Sequence, residues 1–176
     1  MPTFLHVGCG QKRQAQTTRG FNQANWHETR LDIDPAVSPD ILGSMTDMTA
    51  IADGRMDALY SSHNIEHLYA HEVPLALREF FRVLTPEGFA VITCPDLQTI
   101  AELVAQGKLT DKAYDSPAGP ITPMDVIYGH SPSLAAGHLF MAHRTGFTLH
   151  TLIAALRHAG FQTAIGHRQP ATAYAL

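Results

Sequence analysis

The sequence predicts an α/β fold, in which a mostly parallel sheet packs against helices. Short apolar runs that end at glycine or aspartate alternate along the chain with longer amphipathic segments. This alternation is typical of strand–helix–strand units with right-handed crossovers. Residues 89–94 form an almost continuous apolar run, as expected for a strand in the middle of a sheet that is covered on both faces.

Apolar runs bounded by turn residues define the predicted strands. They lie at residues 3–7, 28–33, 40–43, 57–61, 89–94 and 161–168, with the start of a last strand at 174–176. Residues 11–20 carry a single apolar side chain and are predicted to form a loop. Residues 47–51 are predicted to form one helical turn.

Three longer segments have the spacing of amphipathic helices. They cover residues 72–84, 97–106 and 148–158. In the first of them Pro74 suits the first helical turn, and the apolar face comprises Val73, Leu77, Phe80, Phe81 and Leu84. Residues 85–88 (TPEG) are expected to end that helix in a turn.

Length and composition fit one globular domain, residues 1–176, in which the irregular segment 108–146 is an insertion that forms a lid or an interface. The net charge is −4 and the basic residues form no run, so no binding of nucleic acid is expected. No apolar run approaches the roughly 20 residues of a membrane span. The N-terminus does not resemble a leader, and Cys9 and Cys94 are read as reduced thiols, so the expected location is the cytoplasm.

Residues suited to ligand binding follow each of the first four predicted strands. In chain order they are Gly8 and Gly10, Asp32 and Asp34, Asp47 and Met48, and Ser62, His63 and Asn64. Open α/β sheets bind their ligands at the carboxyl ends of the strands. Glycines let a ligand approach the backbone, and an acid about 22 residues later can accept the hydroxyls of a ribose. The order of these residues therefore predicts a nucleoside-containing ligand.

Five segments carry a resemblance to a known family. They are LHVGCG (5–10), RLDIDP (30–35), GSMTDM (43–48), DGRMDALYSSHNIEHL (53–68) and LREFFRVLTPEGFAVITCPD (77–96). Together they resemble the class I S-adenosylmethionine-dependent methyltransferases, in particular the group called methyltransferase type 11. The resemblance covers residues 3–105 and resumes weakly at 147–165.

This resemblance implies a Rossmann-like three-layer sandwich, with helices on both faces of a mostly parallel sheet of about seven strands, one of them reversed. It implies S-adenosylmethionine as the cofactor and S-adenosylhomocysteine as the product. The implied contacts are Gly8, Cys9 and Gly10 with the methionine part, Asp32 or, as second choice, Asp34 with the ribose, Asp47 and Met48 with the adenine, and Ser62 and His63 with the sulfonium.

Two positions depart from the family pattern. His6 stands two residues before the first glycine, where the family usually has an acid. Lys12 stands where the family usually has a third glycine that opens a helix. Both departures concern the end of the site that would hold the methionine part of the cofactor.

Three residues are candidates for catalysis. His63 follows the fourth strand, and a histidine can accept a proton near neutral pH; the alternative is a ring that is hydrogen-bonded to a backbone carbonyl. Asp96 follows the strand at 89–94 and could hold an acceptor amine or hydroxyl, or could cap the next helix. His143 comes from the segment 108–146.

The eleven histidines of the chain raise the question of a metal site. His63 and His67 are four residues apart with Glu66 between them. However, the sequence contains neither an HExxH nor a CxxC motif, and these are the spacings that indicate zinc. We therefore expect no metal ligand.

The function that these observations favour is transfer of a methyl group from S-adenosylmethionine to a small-molecule acceptor. A binding or assembly module that keeps the fold without turnover is the first alternative, because the first motif is altered. A nicotinamide-dependent dehydrogenase is the second, and the missing third glycine counts against it. The apolar region 120–142 is consistent with a homodimer.

Overall fold

The computed structural model describes residues 1–169 and 175–176. These residues form two compact units. The first comprises Met1–Asn64 and His71–Ile92, and the second comprises Ile65–Ala70 and Thr93–Leu176. The single domain over residues 1–176 therefore stays a prediction, and the two units are described separately.

The main sheet has five strands in the order β3-β2-β1-β4-β5. Their bounds are β1 Thr3–Val7, β2 His27–Asp32, β3 Ile41–Leu42, β4 Met56–Ser62 and β5 Leu84–Thr93. Strand β1 is parallel to both β2 and β4, and β2 is parallel to β3. The chain order reverses its direction between β1 and β4, which is where ligands bind in open α/β sheets. The predicted α/β class is confirmed.

Aromatic side chains fill the core of the first unit. Phe4 of β1 stacks on Phe21 at 4.7 Å between ring centroids, and Phe21 lies 5.5 Å from Tyr60 of β4. Ala58 completes this buried cluster, against which Trp26 packs. The loop between β1 and β2 is thus anchored through Phe21, so the residues that follow β1 are held in place.

Helix α1 spans Val73–Val83, with Pro74 in its first turn as predicted. The prediction that Phe81 belongs to its buried face is wrong, because the side chain is 45% exposed. Ala76 and Val83 lie on the buried face instead, since residues three and four apart share one side of a helix. The predicted turn at 85–88 is also wrong: Leu84 already has extended backbone and begins β5.

Strand β5 differs from its prediction in position. It stands last in the strand order of the described residues, and Phe89 is 48% exposed. An apolar run does not distinguish a central strand from an edge strand, because neighbours in a sheet come from distant parts of the chain. The family resemblance implies a sheet of about seven strands. In the described part of the chain the main sheet has five.

The second unit contains the remaining elements. They are α2 Leu97–Ala105, β6 Tyr114–Ser116, β7 Gly119–Ile121, α3 Pro123–Tyr128, α4 Ser131–Ala135 and α5 Leu149–Ala159. Strands β6 and β7 form an antiparallel hairpin. Ile100, Ile121 and Val126 form the buried cluster of this unit. The segment 108–146 therefore contains the hairpin β6–β7 and the short helices α3 and α4.

The predicted strand at 161–168 is not formed. Residues 161–168 have neither strand nor bridge. The isolated bridges nearby join Ala175 to Pro95 and to Gln169. Tyr174, in the predicted last strand, lies outside the described residues. The longest helices described, α1 and α5, have 11 residues each, and no helix in the described ranges is long and apolar enough to span a bilayer.

Candidate functional site

The turn after β1 contains two glycines in left-handed conformation, Gly8 at φ +61° and Gly10 at φ +51°. The N–H groups of Gly8 and Cys9 donate to the carbonyl of Leu31 at 2.9 and 3.3 Å, which ties the turn to β2. A Cβ at Gly8 would overlap the carboxamide of Asn64, whereas a Cβ at Gly10 would meet no atom within 4 Å. Packing thus requires Gly8, and Gly10 leaves room for a ligand.

Asp32 at the end of β2 faces this turn. Its Oδ2 accepts the N–H of Gly10 at 2.7 Å, and its Oδ1 accepts the N–H of Asp34 at 2.9 Å. Each carboxylate oxygen can accept a further hydrogen bond, so the group can still bind hydroxyls. Asp34 instead caps a short 3₁₀ turn, accepting the N–H of Ala36 at 2.9 Å. The geometry therefore favours Asp32 over Asp34 as a ribose ligand.

Asn64 joins the ends of β1 and β4. Its Nδ2 donates to the carbonyls of Val7 and Ser62, both at 3.0 Å. The side chain thus lies where the strand order reverses, and its carboxamide occupies the space that a Cβ at Gly8 would need. Asn64 belongs to the predicted ligand-binding segment after the fourth strand, but its role in joining two strand ends depends on β1, which is distant in sequence.

Arg30 of β2 is a buried cation that fixes the glycine turn from the other side. Its side chain is 2% exposed, and its NH2 group donates to the carbonyl of Gly10 at 2.6 Å. The same guanidinium donates to the carbonyls of Ser38 at 2.8 Å and Val37 at 3.3 Å. Arg30 therefore links the turn after β1 to the turn after β2.

A carboxylate also reaches the region of His6, where the family has an acid. Glu28 on β2 places Oε1 2.7 Å from Nδ1 of His6, and its Oε2 accepts the N–H of Gln14 at 2.9 Å. Burial lowers the pKa of His6, and the hydrogen bond to Glu28 opposes that effect. The neighbouring strand thus supplies the charge that position 6 lacks. Burial also raises the pKa of Cys9 to about 11, so its thiol stays protonated.

The loop after β3 is held by helix α1. The N–H of Met48 donates to Oε2 of Glu79 at 2.7 Å, and the carbonyl of Met48 accepts from Arg82 at 2.9 Å. Glu79 and Arg82 form a salt bridge at 2.7 Å, and the hydrogen bond from Arg82 lowers the pKa of Glu79. Asp47 is exposed. Where the sequence predicts one helical turn at 47–51, the structure has a single hydrogen-bonded turn, in which the N–H of Ile51 donates to the carbonyl of Met48 at 2.8 Å.

His63 has backbone φ of +55°, in the left-handed region. This conformation is uncommon for a residue with a side chain and costs roughly 1–2 kcal/mol. Such strained residues concentrate at functional sites. The side chain of His63 is exposed, and Ser62 before it is half-buried at the end of β4.

The second unit contains a cavity of about 260 Å³. Its wall combines apolar and polar side chains, as in small-molecule sites; they include Val126, Tyr128, Glu66, His143 and Arg144. The carbonyl of Glu66 accepts the N–H of Arg144 at 2.8 Å. This hydrogen bond fixes the polar wall.

Glu66, His67 and His143 form a cluster in this unit, with one side-chain ligand atom of each within 4.8 Å of the others. Nδ1 of His143 lies 2.7 Å from the carbonyl of Val126, and Nδ1 of His67 lies 3.1 Å from that of Ala142. A carbonyl can only accept, so both rings carry hydrogen on Nδ1. These groups could hold a cation or an acceptor.

Asp96 acts as the N-cap of α2. Its Oδ1 accepts the N–H of Gln98 at 3.2 Å, and its Oδ2 accepts the hydroxyl of Thr99 at 2.6 Å. Nε of Arg168 lies 3.2 Å from the same Oδ2. The carboxylate is buried. Of the two roles that the sequence left open, these contacts favour capping over catalysis.

A model of the methyltransferase domain family matches residues 5–92, which is half of the chain. The chain belongs to this methyltransferase family. The family resemblance inferred from the motifs is confirmed, and S-adenosylmethionine is the cofactor of this methyltransferase domain. The matched range contains the turn after β1, Asp32 and the ends of β3 and β4.

Solved methyltransferases share the fold. An S-adenosylmethionine-dependent methyltransferase from Archaeoglobus fulgidus is 15% identical, with a TM-score of 0.56 over 92% of this chain and 61% of that one. The 1,6-didemethyltoxoflavin-N1-methyltransferase of Burkholderia thailandensis, bound to S-adenosylhomocysteine, is 16% identical, with a TM-score of 0.59 over 99% and 68%. A Thermotoga maritima S-adenosylmethionine-dependent methyltransferase is 14% identical, with a TM-score of 0.58 over 93% and 65%.

At these identities the likeness shows the Rossmann-like methyltransferase fold and no more. The methyltransferase domain described here spans 61% of the Archaeoglobus protein's length. A search of curated proteins found no significant match.

The predicted site residues of the methyltransferase are divided between the two units. Those proposed for the cofactor lie in the first unit, after β1, β2, β3 and β4, together with His63. Asp96 and His143 lie in the second unit. The roles of these residues, and the homodimer suggested by the apolar region 120–142, stay predictions.

The free energy of unfolding is expected to fall as the pH drops below 6.5. In the unfolded chain His6 titrates at 6.5, and burial lowers its pKa in the folded protein. The unfolded chain therefore binds more protons between these two values, and stability is lost there at up to about 1.4 kcal/mol per pH unit. Denaturant titrations near pH 7.5 and pH 5.5 measure the loss. It should shrink in the His6→Gln variant; an equal loss in that variant would show that other groups cause it.

Proposed function

We propose that this chain binds S-adenosylmethionine at the carboxyl ends of β1 to β4 and transfers its methyl group to a small-molecule acceptor. One observation carries the proposal most strongly. The carboxylate of Asp32 and the open side of Gly10 are held together by a 2.7 Å hydrogen bond, at the end of two adjacent parallel strands. This arrangement suits a cofactor whose ribose binds Asp32 and whose methionine part lies along the backbone of the glycine turn.

Each loop has a distinct role in this proposal. The turn at Gly8, Cys9 and Gly10 contacts the methionine part, and Asp32 accepts the ribose hydroxyls. Asp47 contacts the adenine amino group, and the backbone of Met48 is kept rigid by its hydrogen bonds to Glu79 and Arg82. Rigid, preformed contacts reduce the entropy lost on binding.

The chemistry is an in-line displacement at the methyl carbon. Much of the acceleration in such a reaction comes from holding the nucleophile, the methyl carbon and the sulfur in line and away from water. An acceptor hydroxyl must lose a proton as the new bond forms, whereas a neutral amine can attack directly. We assign proton acceptance to His63, whose unusual backbone conformation sets the direction of its side chain.

The cavity of the second unit is the proposed acceptor site. Its volume of about 260 Å³ suits a small molecule. Tyr128 and Val126 offer an apolar wall, and Arg144 and His143 offer polar contacts. These groups favour a small aromatic acceptor that carries a hydroxyl or an amine.

Filling this cavity should reduce methyl transfer without loss of cofactor binding. Thr145 lines the cavity and is half-buried, so Thr145→Phe should reduce turnover of phenol and aromatic amine acceptors by about tenfold or more, because a displaced acceptor misses the in-line geometry. Turnover is measured as formation of S-adenosylhomocysteine. Leu139→Phe is the matched control, since Leu139 lies in the same unit, is 68% exposed and is not among the residues that line the cavity.

Equal turnover in Thr145→Phe and wild type would place the acceptor elsewhere. Binding of the cofactor without turnover of any acceptor would favour the alternative, a module that binds S-adenosylmethionine without catalysis.

A further inference from the structure

The cluster of Glu66, His67 and His143 has the composition of a metal site. Glu66 and His67 belong to a short 3₁₀ turn, Ile65–His67, and His143 is brought to them from the segment before α5. Two hydrogen bonds fix this approach, because the carbonyl of Glu66 accepts the N–H groups of Arg144 at 2.8 Å and Thr145 at 3.1 Å. The side-chain ligand atoms of the three residues all lie within 4.8 Å of one another.

The tautomers of both histidines suit metal binding. Nδ1–H of His143 donates to the carbonyl of Val126 at 2.7 Å, and Nδ1–H of His67 donates to the carbonyl of Ala142 at 3.1 Å. In each neutral ring Nε2 then carries no hydrogen, and its lone pair is free to bind a metal ion. Donation of the second ring N–H to a backbone carbonyl is the usual way in which proteins orient histidine ligands.

The carboxylate of Glu66 adds the charge that a divalent ion needs. Glu66 is 1% exposed, and a carboxylate at such a depth is costly unless a cation or hydrogen bonds compensate for its charge. Two imidazoles and one carboxylate form the ligand set of several catalytic zinc sites, in which the fourth position stays open for water or substrate. The cavity of the second unit is lined by Glu66 and His143 and supplies that open side.

We propose that Glu66, His67 and His143 bind a divalent transition-metal ion, with zinc as the first choice. In a tetrahedral site with bonds of about 2.0–2.2 Å, ligand atoms lie about 3.4 Å apart. The observed upper limit of 4.8 Å therefore requires a closure of at most about 1.4 Å, which side-chain rotations can provide. This proposal replaces the expectation of no metal, which rested on motif spacing along the chain.

Metal binding is tested without cofactor or acceptor, so the result does not depend on methyl transfer. The full chain, without a histidine tag, is treated with chelator, dialysed and titrated with Zn²⁺ by calorimetry and with Co²⁺ by visible absorption. We expect one equivalent of each ion to bind, with the Co²⁺ band of a site with nitrogen and oxygen ligands. Mg²⁺ should not compete, since it prefers oxygen ligands and keeps its waters.

Variants show which residues bind the ion. Glu66→Gln and His143→Asn should each weaken binding by about 100-fold or more, equivalent to about 2.7 kcal/mol. His130→Asn is the matched control, because His130 lies in the same segment and its Nδ1 is 2.8 Å from the hydroxyl of Ser133. His67→Asn is a further test if Glu66→Gln does not fold, as judged by circular dichroism.

Two results would overturn the proposal. One is a folded wild-type chain that takes up no equivalent of Zn²⁺ or Co²⁺. The other is equal binding by the wild type, Glu66→Gln and His143→Asn, which would assign the ion to other histidines. Neither result would bear on S-adenosylmethionine binding, which is measured separately.

Discussion

Replacing Gly8 with alanine should lower the free energy of unfolding by about 3 kcal/mol. Two costs add. The φ of +61° is strained for any residue with a Cβ, which accounts for about 1 kcal/mol. The new Cβ would also overlap the carboxamide of Asn64, and overpacking a rigid site costs typically about 1–3 kcal/mol. Denaturant titration of the purified variant measures the sum.

Two variants separate these costs. Gly10→Ala keeps the left-handed strain, at φ +51°, but its Cβ meets no atom within 4 Å, so it should lose only about 1 kcal/mol. In the double variant Gly8→Ala/Asn64→Ala the overlap is gone, and its loss should be smaller than the sum of the two single losses by at least about 1 kcal/mol. Equal losses at Gly8 and Gly10 would contradict the packing account.

Asp32→Ala should weaken the binding of S-adenosylmethionine by about 100-fold or more. Hydrogen bonds from ribose hydroxyls to a charged group contribute about 1.5–3 kcal/mol each, and both would be lost. The substitution also removes the acceptor of the Gly10 N–H, 2.7 Å away, so the turn that contacts the methionine part loses a constraint. Calorimetric titration of the folded variant measures the change in affinity.

The matched control is Asp34→Ala. Asp34 is also a carboxylate at the end of β2, but its Oδ1 caps the turn at Ala36. Its loss should cost about 1 kcal/mol of stability, as for other N-caps, and leave the affinity near that of the wild type. If Asp34→Ala instead carries the larger loss of affinity, the ribose ligand is Asp34.

Elements defined by local pattern could be predicted from the sequence. Strand β1 matches its predicted bounds, and β2 and β4 each differ from theirs by one residue at both ends. Buried apolar runs that stop at glycine, aspartate or serine indicate both the strand and its boundary. Helix α3, Pro123–Tyr128, also has a local cause, since Pro123 suits the first turn and Thr122 and Asp125 form a capping box.

Features that depend on distant partners could not be predicted. Arg30 looks like an exposed cation within RLDIDP, but the fold buries it against the carbonyl of Gly10. Glu28 replaces the missing acid at position 6 because β1 and β2 are neighbours, with Phe4 opposite Glu28 in the register. The sequence does not show which strands pair, and pairing decides which side chains meet.

The same reasoning applies to the cluster in the second unit. In the sequence, His63 and His67 are four residues apart, a spacing that brings two side chains together only on a helix. The chain instead forms a 3₁₀ turn at Ile65–His67, and it is His143 that lies beside His67, at 4.9 Å between ring centroids. Spacing along the chain predicts a metal site only where the ligands share one local element.

The most direct test of the central claim is a calorimetric titration of the purified wild-type chain with S-adenosylmethionine and, separately, with S-adenosylhomocysteine. We expect both to bind at one site per chain, with dissociation constants on the order of micromolar. In Asp32→Ala the binding of both should weaken by about 100-fold or more. A folded wild-type chain that binds neither ligand would contradict the claim.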